Sequence, residues 1–261
     1  MNGTKTKARP ALRVLSRRWD GLLAPTPREI EASKRIFAHE GRFVWSASSV
    51  HVVPEPSVPE IAFLGRSNVG KSTLLNVLLG RKRHKLVRTS SRPGQTQALN
   101  GFSVGGEVCL VDTPGYGYRS REAWGPLIET YLRSRRTLKR ACLLVEASHG
   151  FKTHDEALVH ALARDGVPFQ VVLTKVDKLA PPALLELLAY SETYLRKAGK
   201  AAVWGEVLGV SSDERRLGIP ELRSSLCLVS GLLSKSVLDG TADALPKKVR
   251  RKSRPETMFT K

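Results

Sequence analysis

The sequence predicts an α/β fold, a mostly parallel sheet with helices on both faces, and three observations carry that prediction. Apolar runs of strand length alternate with helical patterns between residues 60 and 233, the order that builds βαβ units. The octet Gly65-Arg66-Ser67-Asn68-Val69-Gly70-Lys71-Ser72 lies where the first such strand meets the first such helix, and it fits the G-x-x-x-x-G-K-[ST] phosphate-binding pattern. The 261 residues suit one nucleotide-binding-sized domain with appendages.

The elements follow in order. Thr26-Pro27-Arg28-Glu29 is a capping box with proline at the first helical position, starting a helix to about Ala38. Phe43-Val44-Trp45 reads as an edge strand, and the prolines of Val53–Pro59 break the chain before the first core strand. Strands are expected at 60–64, near 98–104 and 107–112, and at 140–146, 168–174 and 206–210. Helices are expected at 72–79, 124–134, 153–164, 181–198 and 219–233. Past Leu233 the chain turns polar and basic, a composition that stays disordered when free. In such a sheet ligands gather at the carboxyl ends of the strands, where the motifs fall.

A triphosphate needs close backbone N–H groups, a lysine for its β and γ oxygens, and a hydroxyl for magnesium. Gly65 and Gly70 admit the backbone, Lys71 brings the charge and Ser72 the hydroxyl; Arg66, Ser67, Asn68, Val69 and Thr73 complete the cradle at a helix N-terminus. Thr174-Lys175-Val176-Asp177 ends a buried-type strand and fits [NT]-K-x-D. Its aspartate can accept from N1–H and the 2-amino group of guanine, whereas adenine would leave the carboxylate unpaired. The Lys175 stem can lie against the base, and Val210-Ser211-Ser212 places amides near guanine O6. Asp112-Thr113-Pro114-Gly115 closes another strand. Asp112 can hold magnesium through water and the Gly115 amide can meet the γ-phosphate; without the loop upstream the tetrapeptide would be an ordinary turn. Gly94-Gln95-Thr96-Gln97-Ala98 offers the Thr96 hydroxyl as a further magnesium ligand, its other reading being a polar turn. The ligands implied are GTP or GDP with Mg2+.

Together with Pro93-Gly94-Gln95-Thr96-Gln97, the loop, Asp112-Thr-Pro-Gly-Tyr-Gly-Tyr118 and Thr174–Asp177, the chain resembles the EngB (YihA/YsxC) GTPases of the TRAFAC class. Trp124 and Ser148-His-Gly-Phe-Lys152 add to the likeness, which runs from about Pro27 to Leu232. It implies a P-loop GTPase domain acting in assembly of the large ribosomal subunit, with ribosomal RNA and large-subunit precursor particles as partners. Gln95, Thr113 and Glu146 depart from the family pattern, which usually has arginine, leucine and aspartate there. Lys71, Thr96 and Asn68 are the residues expected to support hydrolysis. Tyr116 stands where Ras-like enzymes carry a water-orienting glutamine, so slow intrinsic turnover is expected. Asn68 is either a turn-forming residue or, by likeness to related loops, a ligand for K+. Two rival readings stay open: an RNA-binding scaffold that holds nucleotide without useful hydrolysis, and a GTPase of tRNA-modification or division machinery.

The net charge of +19 is concentrated at the ends. Residues 1–18 hold six Lys or Arg and no acid, and residues 246–261 hold seven with Glu256 alone opposing them. Such tails attract a phosphate-rich partner through counterion release. The chain divides into a basic extension over 1–24, the GTPase domain over 25–233 and a basic tail over 234–261. The Arg-rich, acid-free first segment fits a mitochondrial transit peptide, which places the protein in the matrix, with a bacterial or organellar cytoplasm-equivalent as the alternative. Pro246–Arg254 reads as a nuclear localisation motif or an RNA-contacting tail, and the resemblance favours RNA. Arg81–Lys85 and Arg133–Arg140 read first as solvated faces and second as RNA surface. Cys109, Cys142 and Cys227 lack metal-ligand spacing and read as buried free thiols in a reducing compartment. No apolar run is long enough to span a bilayer, so no membrane partner is expected. The free chain is expected to be a monomer.

Overall fold

The computed structural model describes residues 15–55, 57–80, 86–87, 98–116, 125–198 and 200–234 of the 261. Among them are eight strands: β1 (Ser16–Arg18), β2 (Arg42–Ala47), β3 (Glu60–Gly65), β4 (Leu99–Val104), β5 (Val108–Asp112), β6 (Leu138–Glu146), β7 (Phe169–Thr174) and β8 (Val203–Gly209). The six helices are α1 (Pro27–Ile36), α2 (Lys71–Leu78), α3 (Pro126–Ser134), α4 (Thr153–Arg164), α5 (Pro181–Ala198) and α6 (Ile219–Val229). The sheet order is β1-β8-β7-β6-β3-β5-β4-β2. β5, β3, β6, β7 and β8 run parallel, and β1, β2 and β4 are antiparallel to their neighbours. No described helix is long and apolar enough to cross a membrane.

Period-two alternation in the buried strands divides the core between the two faces. Ala62 and Leu64 of β3, with Ala141, Leu143 and Val145 of β6, join Ile128, Leu158 and Leu188 of α3, α4 and α5. Ile61, Phe63, Cys142 and Leu144 point the other way, onto Ile36, Leu75 and Leu222 of α1, α2 and α6. The three cysteines are buried and free, and burial pushes each thiol up to about 12.

Local signals set several ends. The Thr26 hydroxyl accepts the Glu29 N–H at 3.2 Å while Glu29 Oε2 accepts the Thr26 N–H at 2.7 Å, the expected capping box. α3 begins at Pro126 rather than 124, because proline fixes the first helical φ after Gly125. α6 stops at Val229 rather than 233. Gly231 takes φ 72°, and bonds from Gly231 N to Leu228 O and from Leu232 N to Cys227 O close a Schellman motif. β6 and β8 start earlier than expected, at Leu138 and Val203, extended by pairing to β3 and β7.

One boundary moves. The sequence places the start of the domain at 25, but β1 lies on the β8 edge of its sheet. Leu15 O accepts the Gly209 N–H at 2.6 Å, and Trp19 N donates to Gly205 O at 2.9 Å. Gly205 permits that approach, since a Cβ there would stand 2.8 Å from Trp19 O. Arg18 meets the buried Glu206 at 2.5 Å and Arg17 meets Glu192 at 2.9 Å. Two of the six terminal cations are therefore paired to acids of the domain, Arg18 with a buried one and Arg17 at the surface. Trp19 is only 5% exposed, so Trp19→Ala is expected to cost about 3 kcal/mol in denaturant unfolding; an unchanged midpoint would detach this strand from the fold. The rest of the predicted targeting segment, residues 1–14, and the tail from 235 lie outside the described residues.

Candidate functional site

The phosphate-binding loop joins the carboxyl end of β3 to the first turn of α2, as the spacing predicts. Its tightness shows in the backbone: Asn68 has φ 67° and Gly70 φ 101°, the second a conformation suited to glycine. Behind the loop the β5 end delivers Asp112. Lys71 and Asp112 form a buried ion pair, so the lysine and the expected metal carboxylate converge on one point. Ser72 opens the helix beside Lys71 and is partly buried, whereas Thr73 is exposed.

Residues 174–177 and 210–212 meet at the adjoining strand ends. Asp177 Oδ1 accepts from Ser211 Oγ at 2.5 Å, and Val176 N donates to Val210 O at 3.3 Å. This brings two segments together that are more than thirty residues apart. Lys175 adopts φ 57° and sends its stem past Gly70, where a Cβ would lie 3.7 Å from Lys175 Cε. Its ammonium donates to Asn68 O at 2.9 Å and to Glu146 Oε2 at 2.7 Å. The lysine is thus strapped over the loop, joining the segment predicted to read the base to the one predicted to hold the phosphates.

Several predicted contact residues turn out to brace the site. Thr113 is fully buried and its hydroxyl donates to Phe63 O at 2.8 Å, tying β5 to β3, so its side chain does not face a nucleotide. Thr174 Oγ1 donates to Val69 O at 2.7 Å, which pins the guanine motif to the loop. Val69, Val176 and Val210 are buried in the core and contribute backbone alone. Gly94, Gln95, Thr96 and Gln97 lie outside the described residues; Ala98 lies just before β4 and is partly exposed.

The reading of Arg133–Arg140 is corrected, Tyr116 gains a buried partner and Glu146 is added. Tyr116, which stands where Ras-like enzymes carry a glutamine, is 4% exposed with its hydroxyl on Asp155; Tyr118 and Trp124 lie outside the described residues. Arg133–Arg140 is not one solvated face. Arg135 binds Glu60, and Arg140 is buried against Gln170, Ser225 and the Trp204 ring, because the run crosses a helix end, a turn and a strand. Burial lowers the Arg140 guanidinium to about 10. Glu146 is the addition, visible in sequence only as a departure from a family pattern. Burial raises its carboxyl, but the Lys175 hydrogen bond and charge outweigh this and hold it below the usual range. Glu146→Gln is expected to weaken GDP binding about fivefold by freeing Lys175, measured by nucleotide titration. Unchanged affinity would make the pair incidental.

The chain is similar to known proteins in both sequence and fold. A family profile described as "50S ribosome-binding GTPase" matches residues 60–175. The "probable GTP-binding protein EngB" of Nitrobacter winogradskyi is 42% identical over 209 residues, covering 77% of this chain and 94% of that protein. Its counterpart in Roseobacter denitrificans is 41% identical over 205 residues, covering 77% and 93%. Among solved structures, Aquifex aeolicus Era bound to GDP and tetrafluoroaluminate aligns with TM-score 0.51 and 24% identity, over 79% of this chain and 62% of that one, a likeness of fold.

Proposed function

The chain belongs to the EngB family of GTP-binding proteins, and we propose that this GTPase is a slow nucleotide-driven switch in assembly of the large ribosomal subunit of mitochondria. GTP binding and hydrolysis to GDP and phosphate follow from the family. The ribosomal reading rests chiefly on the matched family, whose description names the 50S particle. The basic ends of a +19 chain suit a ribosomal RNA partner. The mitochondrial reading rests on the basic, acid-free composition of residues 1–18, of which Arg17 and Arg18 are paired to acids of the domain.

In the reaction, loop amides from Arg66 to Ser72 and the Lys71 ammonium stabilise charge on the β and γ oxygens. Lys71 cannot serve both a phosphate and Asp112 fully, so Asp112 is left as a buried carboxylate that suits a cation. Ser72 and Thr96, with Asp112 through water, would hold a magnesium ion, which supplies neutralising charge when bound. Tyr116, turned inward, orients no attacking water, which supports slow turnover. Asn68 has two readings that turnover separates: faster hydrolysis in K+ than in Na+ makes it a K+ ligand, and equal rates leave it the turn-forming residue its φ of 67° suits.

The test is co-sedimentation of the full chain with large-subunit precursors. Retention in a non-hydrolysable GTP analogue and release in GDP supports the switch. Equal retention, or none, overturns it.

A further inference from the structure

Tyr116 directly follows Gly115, and its backbone is locked to the phosphate-binding loop. Tyr116 N donates to Gly65 O at 3.4 Å and Ser67 N donates to Tyr116 O at 3.2 Å, an isolated parallel bridge centred on Arg66. Gly115 sits so close that a Cβ there would stand 3.2 Å from Ser67 Oγ and 3.3 Å from the Ser67 backbone. From this bridge the ring descends into the core on the α3–α5 face. There its hydroxyl donates to Asp155 Oδ1 at 2.8 Å. Asp155 Oδ2 accepts the Lys152 N–H at 2.9 Å, closing the first turn of α4. Asp155 is 1% exposed, so both its oxygens are committed to these two bonds.

Packing alone does not ask for this arrangement. Phenylalanine would fill the same space without a hydroxyl, and a neutral glutamine at the third helical position would accept the Lys152 N–H without a buried carboxylate. A buried acid bonded to a buried phenol is worth its desolvation when both partners are held in one geometry. Burial accordingly raises the Tyr116 hydroxyl well above its ordinary value, so it stays a donor. The geometry held is that of Gly115, one residue away.

We propose that Asp155 is a positioning residue for γ-phosphate recognition: through Tyr116 it fixes the Gly115 amide over the loop and so sets the preference for GTP over GDP. GDP has no γ-phosphate to meet that amide, so only the triphosphate feels its placement. This rests on the Gly115 amide being the γ-phosphate contact, as the family reading has it.

The experiment titrates a β,γ-imido GTP analogue and GDP, with Mg2+, against the full chain, with melting temperatures recorded alongside. Tyr116→Phe, which keeps the ring, is expected to weaken the analogue about tenfold and GDP less than twofold. Asp155→Ala is expected to act in the same direction, and the double variant to shift the analogue-to-GDP ratio no further, since both remove the Tyr116–Asp155 bond. A lower melting temperature with an unchanged analogue-to-GDP ratio would make the pair a structural bond only and overturn the proposal, as would equal losses for both nucleotides. Gly115→Ala separates the premise: if it leaves the ratio unchanged, Gly115 is not the γ-phosphate contact.

Discussion

Asp177→Asn is expected to exchange guanine for xanthine, lowering GTP affinity about 100-fold and raising XTP affinity by a similar factor. In the proposed site the carboxylate would accept two guanine donors, and an amide offers one acceptor and one donor instead. Xanthine, with oxygen at C2, suits that donor. The fold should survive, because the amide oxygen of the substituted side chain still accepts from Ser211 Oγ, as Asp177 Oδ1 does in the 2.5 Å bond that joins the two base-reading segments. Competition titrations with GTP, XTP and ATP check this. Wild-type protein binding ATP and GTP equally would end the guanine reading altogether.

Lys71→Ala is expected to produce two separable losses. Triphosphate affinity falls at least about 100-fold, because the main positive charge on the β and γ oxygens is gone. Stability without nucleotide falls by about 3 kcal/mol, because Asp112, 2% exposed, is left buried without its cation. Adding Asp112→Asn should restore much of the melting temperature and none of the GTP affinity. If the double variant regained GTP binding, Lys71 would be a structural cation rather than a phosphate ligand.

The parts of this site that could be read in the sequence are those carried by contiguous residues. Gly65–Ser72, Asp112–Gly115 and Thr174–Asp177 each hold their chemistry within four to eight positions, and alternating strands and helices deliver all three to one end of the sheet. What escaped is non-local. Asp155 meets Tyr116 across 39 positions and Glu146 meets Lys175 across 29, and nothing in either neighbourhood names its partner. Asp155 reads as an ordinary acid in the first turn of α4, as it also is. β1 escaped because three residues show no period and because its arginines suggested targeting; the hint was Glu206, an acid in the apolar strand β8 that called for a cation. Arg140 misled in the opposite sense: a charge run resembles a surface until the strand's alternation turns one member inward.

In the proposed switch, nucleotide state and ribosomal partner are linked. Linkage is reciprocal, so a particle that prefers the GTP form must tighten GTP by the same factor that GTP tightens the particle. The direct measurement is the affinity of the full chain for a non-hydrolysable GTP analogue and for GDP, each with and without saturating large-subunit precursor. The particle is expected to tighten the analogue relative to GDP by about tenfold, within the usual range of roughly 5–150-fold for coupling. A particle that binds yet leaves both affinities unchanged would contradict it, and the chain would then be a nucleotide-stabilised scaffold on the ribosome.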